Sequence, residues 1–295
     1  MKQTLINVVI ILMFGSLHAQ EEPDLMGLDS TVDSTGQTIY TDNTVRYPDW
    51  RLKRFKISAG LFFPLNDTEV RVGSTNFDDF GTTINLEDDL GFDKTTFSFY
   101  ANAEWRISRR SRLALDFFYL NRKSTYTLDR EIEFGDNVYP IDANLEAYFN
   151  MNIYRLYYSY TIFAKPKYEI GALIGAHVLF TDVGIRANSG NLEAELNDSF
   201  DFIAPVPDIG IWFDILLSRR FSVYANINYL GLTIDNIKGR IFSSNVTLAY
   251  KLYKGLSLKA GYTGLDIKVE TTRKHLDGYF KWGYNGPTLT ANFAF

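Results

Sequence analysis

From residue 53 onward the chain alternates apolar and polar side chains with a period of two. Phe55, Ile57, Ala59, Leu61 and Phe63 face one way, with Lys56, Ser58 and Gly60 between them. Such a period sends successive side chains to opposite faces of a strand. The pattern recurs at residues 97–107, 113–119, 155–162, 169–178, 208–215, 223–229, 245–252, 257–263 and 286–295. These ten segments predict an all-β chain of about ten strands, with eight or twelve as alternatives. Each strand is near the 9–11 residues that a tilted membrane strand needs. Short connections at 108–111, 164–167, 218–220 and 254–255 alternate with long ones. In the last segment Leu289, Ala291, Phe293 and Phe295 oppose Thr288, Thr290 and Asn292. A final strand leaves an open edge that invites aggregation unless the sheet closes. The predicted closure pairs it with the 53–63 strand, giving an antiparallel up-and-down barrel.

Which solvent meets the outside is decided by the rest of the chain. Lys2, an apolar run over residues 5–14 and the small residues of Gly15-Ser16-Leu17-His18-Ala19 read as a secretory signal peptide over 1–19. That run is too short to span a bilayer, and any crossing must therefore be made by strands. Residues 20–52 are rich in Asp, Thr and Ser without periodicity and read as a flexible periplasmic lead-in to a barrel over 53–295. The segment 64–93 carries Asp78, Asp79, Glu87, Asp88, Asp89 and Asp93 and includes strand extensions clear of the membrane. A soluble lipocalin-like barrel or sandwich would share the alternation with its faces exchanged. Two features favour lipid outside. The polar face holds charges of both signs (Glu104, Arg106, Asp116, Arg155, Glu169, Asp214, Lys251, Lys259), which suits a hydrogen-bonded lumen. Aromatics such as Trp105, Tyr119, Tyr158, Tyr160, Tyr253 and Phe295 gather near strand ends, as interfacial girdles do.

With its signal peptide, alternating strands, basic short turns and final Phe, the chain resembles the Gram-negative outer-membrane β-barrel proteins, most nearly the small OmpX/OmpW/OmpA-like barrels. The resemblance covers roughly residues 53–295 and is architectural. It implies short periplasmic turns, long extracellular loops and residence in the bacterial outer membrane. The implied partners are outer-membrane lipids, lipopolysaccharide and the barrel-insertion machinery, which reads the last strand. Phe293 and Phe295 match the aromatic positions of that assembly signal, whereas Thr290 stands where glycine is common.

Composition narrows the chemistry. The absence of cysteine excludes disulfides, thiolate metal sites and cysteine nucleophiles. A net charge of -5 without a Lys/Arg stripe gives no nucleic-acid partner. Outer-membrane barrels include lipid A acyl-chain enzymes, a phospholipase and omptin proteases, whose chemistry needs a histidine within reach of Ser or Asp. With His18 in the signal peptide, His275 (beside Asp277) and His177 are the candidate bases. The bland readings are a solvated loop histidine and a lumen hydrogen bond. Glu87-Asp88-Asp89 with Asp93 offers oxygen ligands without calcium-loop spacing and reads as a solvated acidic loop. No catalytic, cofactor-binding or metal-ligating residue is assigned. Phe62, Tyr100, Phe118, Tyr157 and Trp212 fall on the inner face and predict a filled lumen in place of a wide porin. The sequence points to a non-enzymatic outer-membrane protein of envelope structure, surface interaction or narrow-solute passage, with a rim hydrolase or acyltransferase as the alternative.

Overall fold

The computed structural model describes residues 29–32, 38–42, 45–48, 50, 53–72, 82–134, 137–187, 196–234, 237–273 and 276–295. The signal-peptide reading of 1–19 and the candidate His275 lie outside them. The barrel strands are β1 (Phe55–Phe62), β2 (Leu65–Val72), β3 (Ser98–Arg106), β4 (Ser111–Thr127), β5 (Asn144–Ala164) and β6 (Tyr168–Ala187). They continue with β7 (Leu196–Leu216), β8 (Phe221–Ile234), β9 (Ile237–Tyr253), β10 (Leu256–Arg273) and β11 (Leu276–Ala294). Every neighbouring pair is antiparallel. The ring closes because β11 pairs with β10 on one side and with β1 and β2 on the other. β1 and β2 share one place in the wall, which therefore has ten positions. Phe55 and Phe295 exchange two backbone hydrogen bonds of 3.0 and 2.9 Å, the predicted closure. Where the chain kinks from β1 into β2, Phe63 crowds Gly286. A Cβ there would lie 2.1 Å from the Phe63 carbonyl oxygen.

The inner turns are built alike. Ser108 Oγ accepts from the N–H of Arg110 and Ser111, and Ser218 Oγ accepts from those of Arg220 and Phe221, each at 3.0–3.2 Å. A serine closing its own turn explains the repeated Ser-Arg-Arg. On the other side much of what reads as loop is strand. Residues 256–294 form two strands joined through 274–275. The 9–11 residues expected per strand describe only the part that alternates with apolar side chains outward, and β5 and β7 run on to 21 residues.

That outward apolar band is continuous. Ile57, Leu61, Phe99, Leu115, Ile174, Ile211, Ile227, Val246 and Leu289 are all exposed. Phe242 and Leu252, ten residues apart on β9, mark its edges, about 25 Å apart at a strand tilt near 40°. Large apolar side chains covering a whole belt match lipid, since water would leave them unburied. Phe55, Trp105, Tyr158, Tyr160, Phe221, Tyr253 and Phe295 lie toward the inner edge of the belt. Phe63, Phe97, Tyr119, Tyr154, Phe180, Tyr229 and Phe242 lie toward the outer.

Above the band the polarity of the two faces exchanges while the pleat continues. On the inner face of β5, Thr161, Ser159, Tyr157 and Arg155 give way to Ile153, Met151, Phe149, Ala147 and Leu145. On its outer face Ile162, Tyr160, Tyr158 and Leu156 give way to Asn152, Asn150 and Glu146. β4, β6 and β11 follow suit: Leu120, Leu179, Val183, Ile185, Phe280 and Trp282 turn inward and are buried, while Asn121, Lys123, Asp182 and Lys281 turn outward. The lower barrel is an inside-out protein in lipid, and the upper barrel is an ordinary one in water.

Two insertions cover the upper core. The first is the helical turn α1 (Leu86–Asp89) with Leu90 and Phe92, and the second is a hairpin, Ile132–Phe134 with Asn137–Tyr139. Leu86, Leu90, Phe92, Leu128, Ile132, Phe134 and Tyr139 join Phe149, Leu179 and Ile185 in one apolar cluster. Upstream of the barrel, Asp29–Val32, Thr38–Asp42 and Val45–Pro48 form an antiparallel meander, which their aperiodic composition does not announce.

Candidate functional site

The lower lumen holds the charged residues that the alternation placed inward, and register brings them together. Lys56 on β1 and Glu104 on β3 meet at 2.7 Å. Arg112 on β4 is in contact with Glu169 on β6, and Arg106 Nη2 lies 3.6 Å from the same carboxylate. Arg155 on β5 donates to Asp208 at 2.5 Å and lies 3.8 Å from Asp116, which also accepts from Tyr100 at 3.0 Å and Asn102 at 2.7 Å. Tight spacing depends on small residues. Gly171 leaves room for Trp212, whose ring a Cβ would approach to 2.6 Å, and the Arg112 guanidinium stacks 4.4 Å from the Trp212 ring. Lys56, Glu104, Arg112, Asp116 and Arg155 line a cavity of about 200 Å³ that Phe62, Phe118 and Ile153 also border. Trp50, upstream of β1, is buried and also lines it.

Each carboxylate of the network has a cation or donor partner, so the network is built for rigidity. Lys259 Nζ donates to Ser58 Oγ at 3.0 Å, and Ser58 in turn donates to Asn292 at 2.9 Å. His177 is buried in the lumen as its strand parity requires. Its Nδ1 is 3.9 Å from Asp208, beyond hydrogen-bond reach, and is without a partner. Asp208 is held by Arg155.

The acidic stretch at 87–93 is spent in three directions. Glu87 accepts from Thr68 N–H at 2.8 Å and Thr68 Oγ1 at 3.0 Å and pairs with Arg122 at 2.6 Å. Asp89 takes Arg130 at 2.6 Å, and Asp88 takes Lys94 at 2.9 Å. Burial lowers the Arg122 guanidinium from its ordinary value while Glu87 opposes the shift. The Arg122–Glu87 pair, both side chains 2% exposed, ties α1 to the wall. Sequence reading missed it because Arg122 lies beyond the apparent end of its strand, although the inward parity of Asp116, Phe118 and Leu120 continues to it.

No family model and no curated protein matches the sequence. Solved structures match by shape. The outer membrane protease OmpT from Escherichia coli has 10% identity, with 82% of this chain and 97% of that chain covered and a TM-score of 0.51. The translocator domain of autotransporter NalP from Neisseria meningitidis has 10% identity, coverage of 82% and 88%, and a TM-score of 0.41. The Pseudomonas putida toluene transporter TodX has 11% identity, coverage of 84% and 91%, and a TM-score of 0.35. At such identities shape alone is shared. With its closed ten-position wall and apolar belt, the chain has the fold of a Gram-negative outer-membrane β-barrel.

Proposed function

We propose that the chain is a non-enzymatic integral outer-membrane protein of envelope structure or surface interaction, delivered to the periplasm by a signal peptide in residues 1–19. The observation that carries this reading is the dry upper core. Phe149, Met151, Leu179, Ile267 and Trp282, none more than 1% exposed, fill the lumen above the polar cavity, and the two insertions cover them. That filling argues against steady solute passage. His177 Nδ1 has no hydrogen-bond partner among the described residues, which supports the non-enzymatic reading. Lipid and lipopolysaccharide are the partners of the outer belt, and the insertion machinery reads Phe293 on β11 and Phe295 just after it.

The test has three arms. Unheated protein in SDS should migrate differently from boiled protein, and a soluble periplasmic protein without that shift would refute the membrane assignment. Purified protein in planar bilayers should give no stepwise conductance; regular steps would favour the channel. Replacing His177 and His275 with Ala should leave any phenotype of the wild type intact, and its loss would favour the enzyme.

A further inference from the structure

The barrel wall is not zipped along its whole length. β7 pairs with β6 throughout, from Ala187↔Leu196 to Tyr168↔Ile215, but with β8 only from Ile209↔Tyr229 to Leu216↔Ser222. Residues 204–208 of β7 and 230–234 of β8 therefore face each other unpaired, and residues 196–203 of β7 run on past the end of β8. The cause is in the sequence. The Leu217 N–H donates toward β8, to the Phe221 carbonyl at 3.0 Å, and that of Leu216 donates toward β6, to Lys167 at 2.7 Å. Odd-numbered residues of β7 thus aim their N–H groups at β8. The next two beyond Ile209 are Pro207 and Pro205, which have no N–H to give. Opposite them the Gly231 and Thr233 backbone groups point at the gap, since even-numbered residues of β8 serve β9, as the Arg220–Lys251 bond of 2.8 Å shows.

The inner side chains beside the gap are unlike their equivalents elsewhere. Leu232, on the inward parity of β8, is 42% exposed, and Ala204 of β7 and Leu230 of β8 are only partly buried. At similar height Phe149, Leu179 and Ile241 are at 0%. The last paired residues, Ile209 and Tyr229, stand eight residues from the inner-edge Leu217 and Phe221, about 20 Å of barrel height. The gap thus begins at the outer edge of the apolar belt, where ester and amide linkages of outer-leaflet lipids lie. Ile203, on the outer face beside the gap, is 59% exposed.

We propose that this seam is a lateral lipid-binding site in which an ester- or amide-linked fatty acyl chain of an outer-leaflet lipid enters between β7 and β8. The chain lies against Ala204, Leu230 and Leu232, and the acyl carbonyl accepts from the Gly231 or Thr233 N–H, which has no ladder partner on β7. An apolar rim with spare backbone donors suits an acyl chain with a carbonyl at one end. It does not suit a charged solute, for Asp208, the one charged residue in the unpaired stretches 204–208 and 230–234, is already held by Arg155 at 2.5 Å. The proposal rests on the membrane reading above.

The test uses the full-length protein in vesicles of phosphatidylcholine bearing a diazirine on one acyl chain, with photo-crosslinks mapped by peptide mass spectrometry. Outward crosslinks at Ile211 or Ile227 report the bilayer, and inward ones at Ala204 or Leu230 report the seam. Both sets are expected in the wild type. The double variant Pro205→Val/Pro207→Val regains two donors toward Gly231 and Thr233 and should lose the inward set while keeping the outward. Because the chain lacks cysteine, Pro207→Cys/Gly231→Cys gives a second closure, reversible by reductant. Outward crosslinks without inward ones overturn the seam proposal alone, and so do inward crosslinks that persist in both closed variants. Absence of outward crosslinks overturns the membrane reading itself.

Discussion

Replacing Arg122 with Met tests what holds the extracellular insertion in place. Arg122 and Glu87 are each 2% exposed, and Glu87 keeps two further donors, the N–H and hydroxyl of Thr68. Arg122→Met leaves a carboxylate buried with two neutral donors and no cation, which costs about 3–5 kcal/mol. Adding Glu87→Leu removes the stranded charge. The Thr68 hydroxyl can rotate to another partner, and what remains is the fixed Thr68 N–H without an acceptor, a loss of about 1–3 kcal/mol. The double variant should therefore be more stable locally than the single one. The assay is amide hydrogen exchange at residues 86–92 in lipid nanodiscs. At about 1.4 kcal/mol per decade the single variant should speed exchange there by roughly two to almost four decades, up to the limit set by opening of α1. Amides in the middle of β5 should not change. A single variant that exchanges no faster than the double would refute the view that charge pairing, and not simple packing, fastens α1.

Three further outcomes follow from the exchange of polarity along the strands. Ile211→Lys, at mid-belt, should lower folding stability in lipid vesicles by about 2–4 kcal/mol, whereas Asn152→Lys, outward on β5 but above the belt, should change it little; equal costs would refute the placed boundary. Phe149→Ala removes a ring centred 6.3 Å from both Phe280 and Trp282 and should cost about 3–5 kcal/mol by urea unfolding. A cost under about 1 kcal/mol would mean the upper core is loosely filled. Deleting Phe295 removes both closing hydrogen bonds to Phe55 and a stacked ring pair at 5.8 Å, about 1–3 kcal/mol of hydrogen bonding. The heat-modifiable fraction should then form more slowly, and an unchanged rate would refute the role of Phe295 in closure.

Much of this architecture is legible in the residues because a barrel wall in lipid must alternate, and the ten segments that alternate are the ten wall positions. The inward placing of Phe62, Tyr100, Phe118, Tyr157 and Trp212 follows from the same parity. What lies above the belt is harder to read for a physical reason. Alternation signals a strand but not the solvent on each side, so at Ile153–Arg155 the polarity inverts, the apolar set jumps to the opposite parity, and the strand seems to stop. The Arg122–Glu87 pair and the core around Phe149 sit beyond that apparent stop. Pro205 and Pro207 are plain as ladder breakers, yet which neighbour loses its bonds depends on the direction of their backbone nitrogens, which only the register between β6 and β7 fixes. Clustering of Lys56, Glu104, Asp116 and Arg155 likewise needs the shear of the ring.

The exchange of polarity at one height also sets how far the protein can move along the membrane normal. Sinking by two residues would drag Asn152 and Lys123 into hydrocarbon; rising by two would lift Leu156 and Leu115 toward water. The interior moves rigidly with the wall, so side-chain rearrangement offers little relief. Such a barrel is a depth gauge: the bilayer must thin or thicken to meet it, and a membrane of different thickness would be deformed around it before the protein shifted.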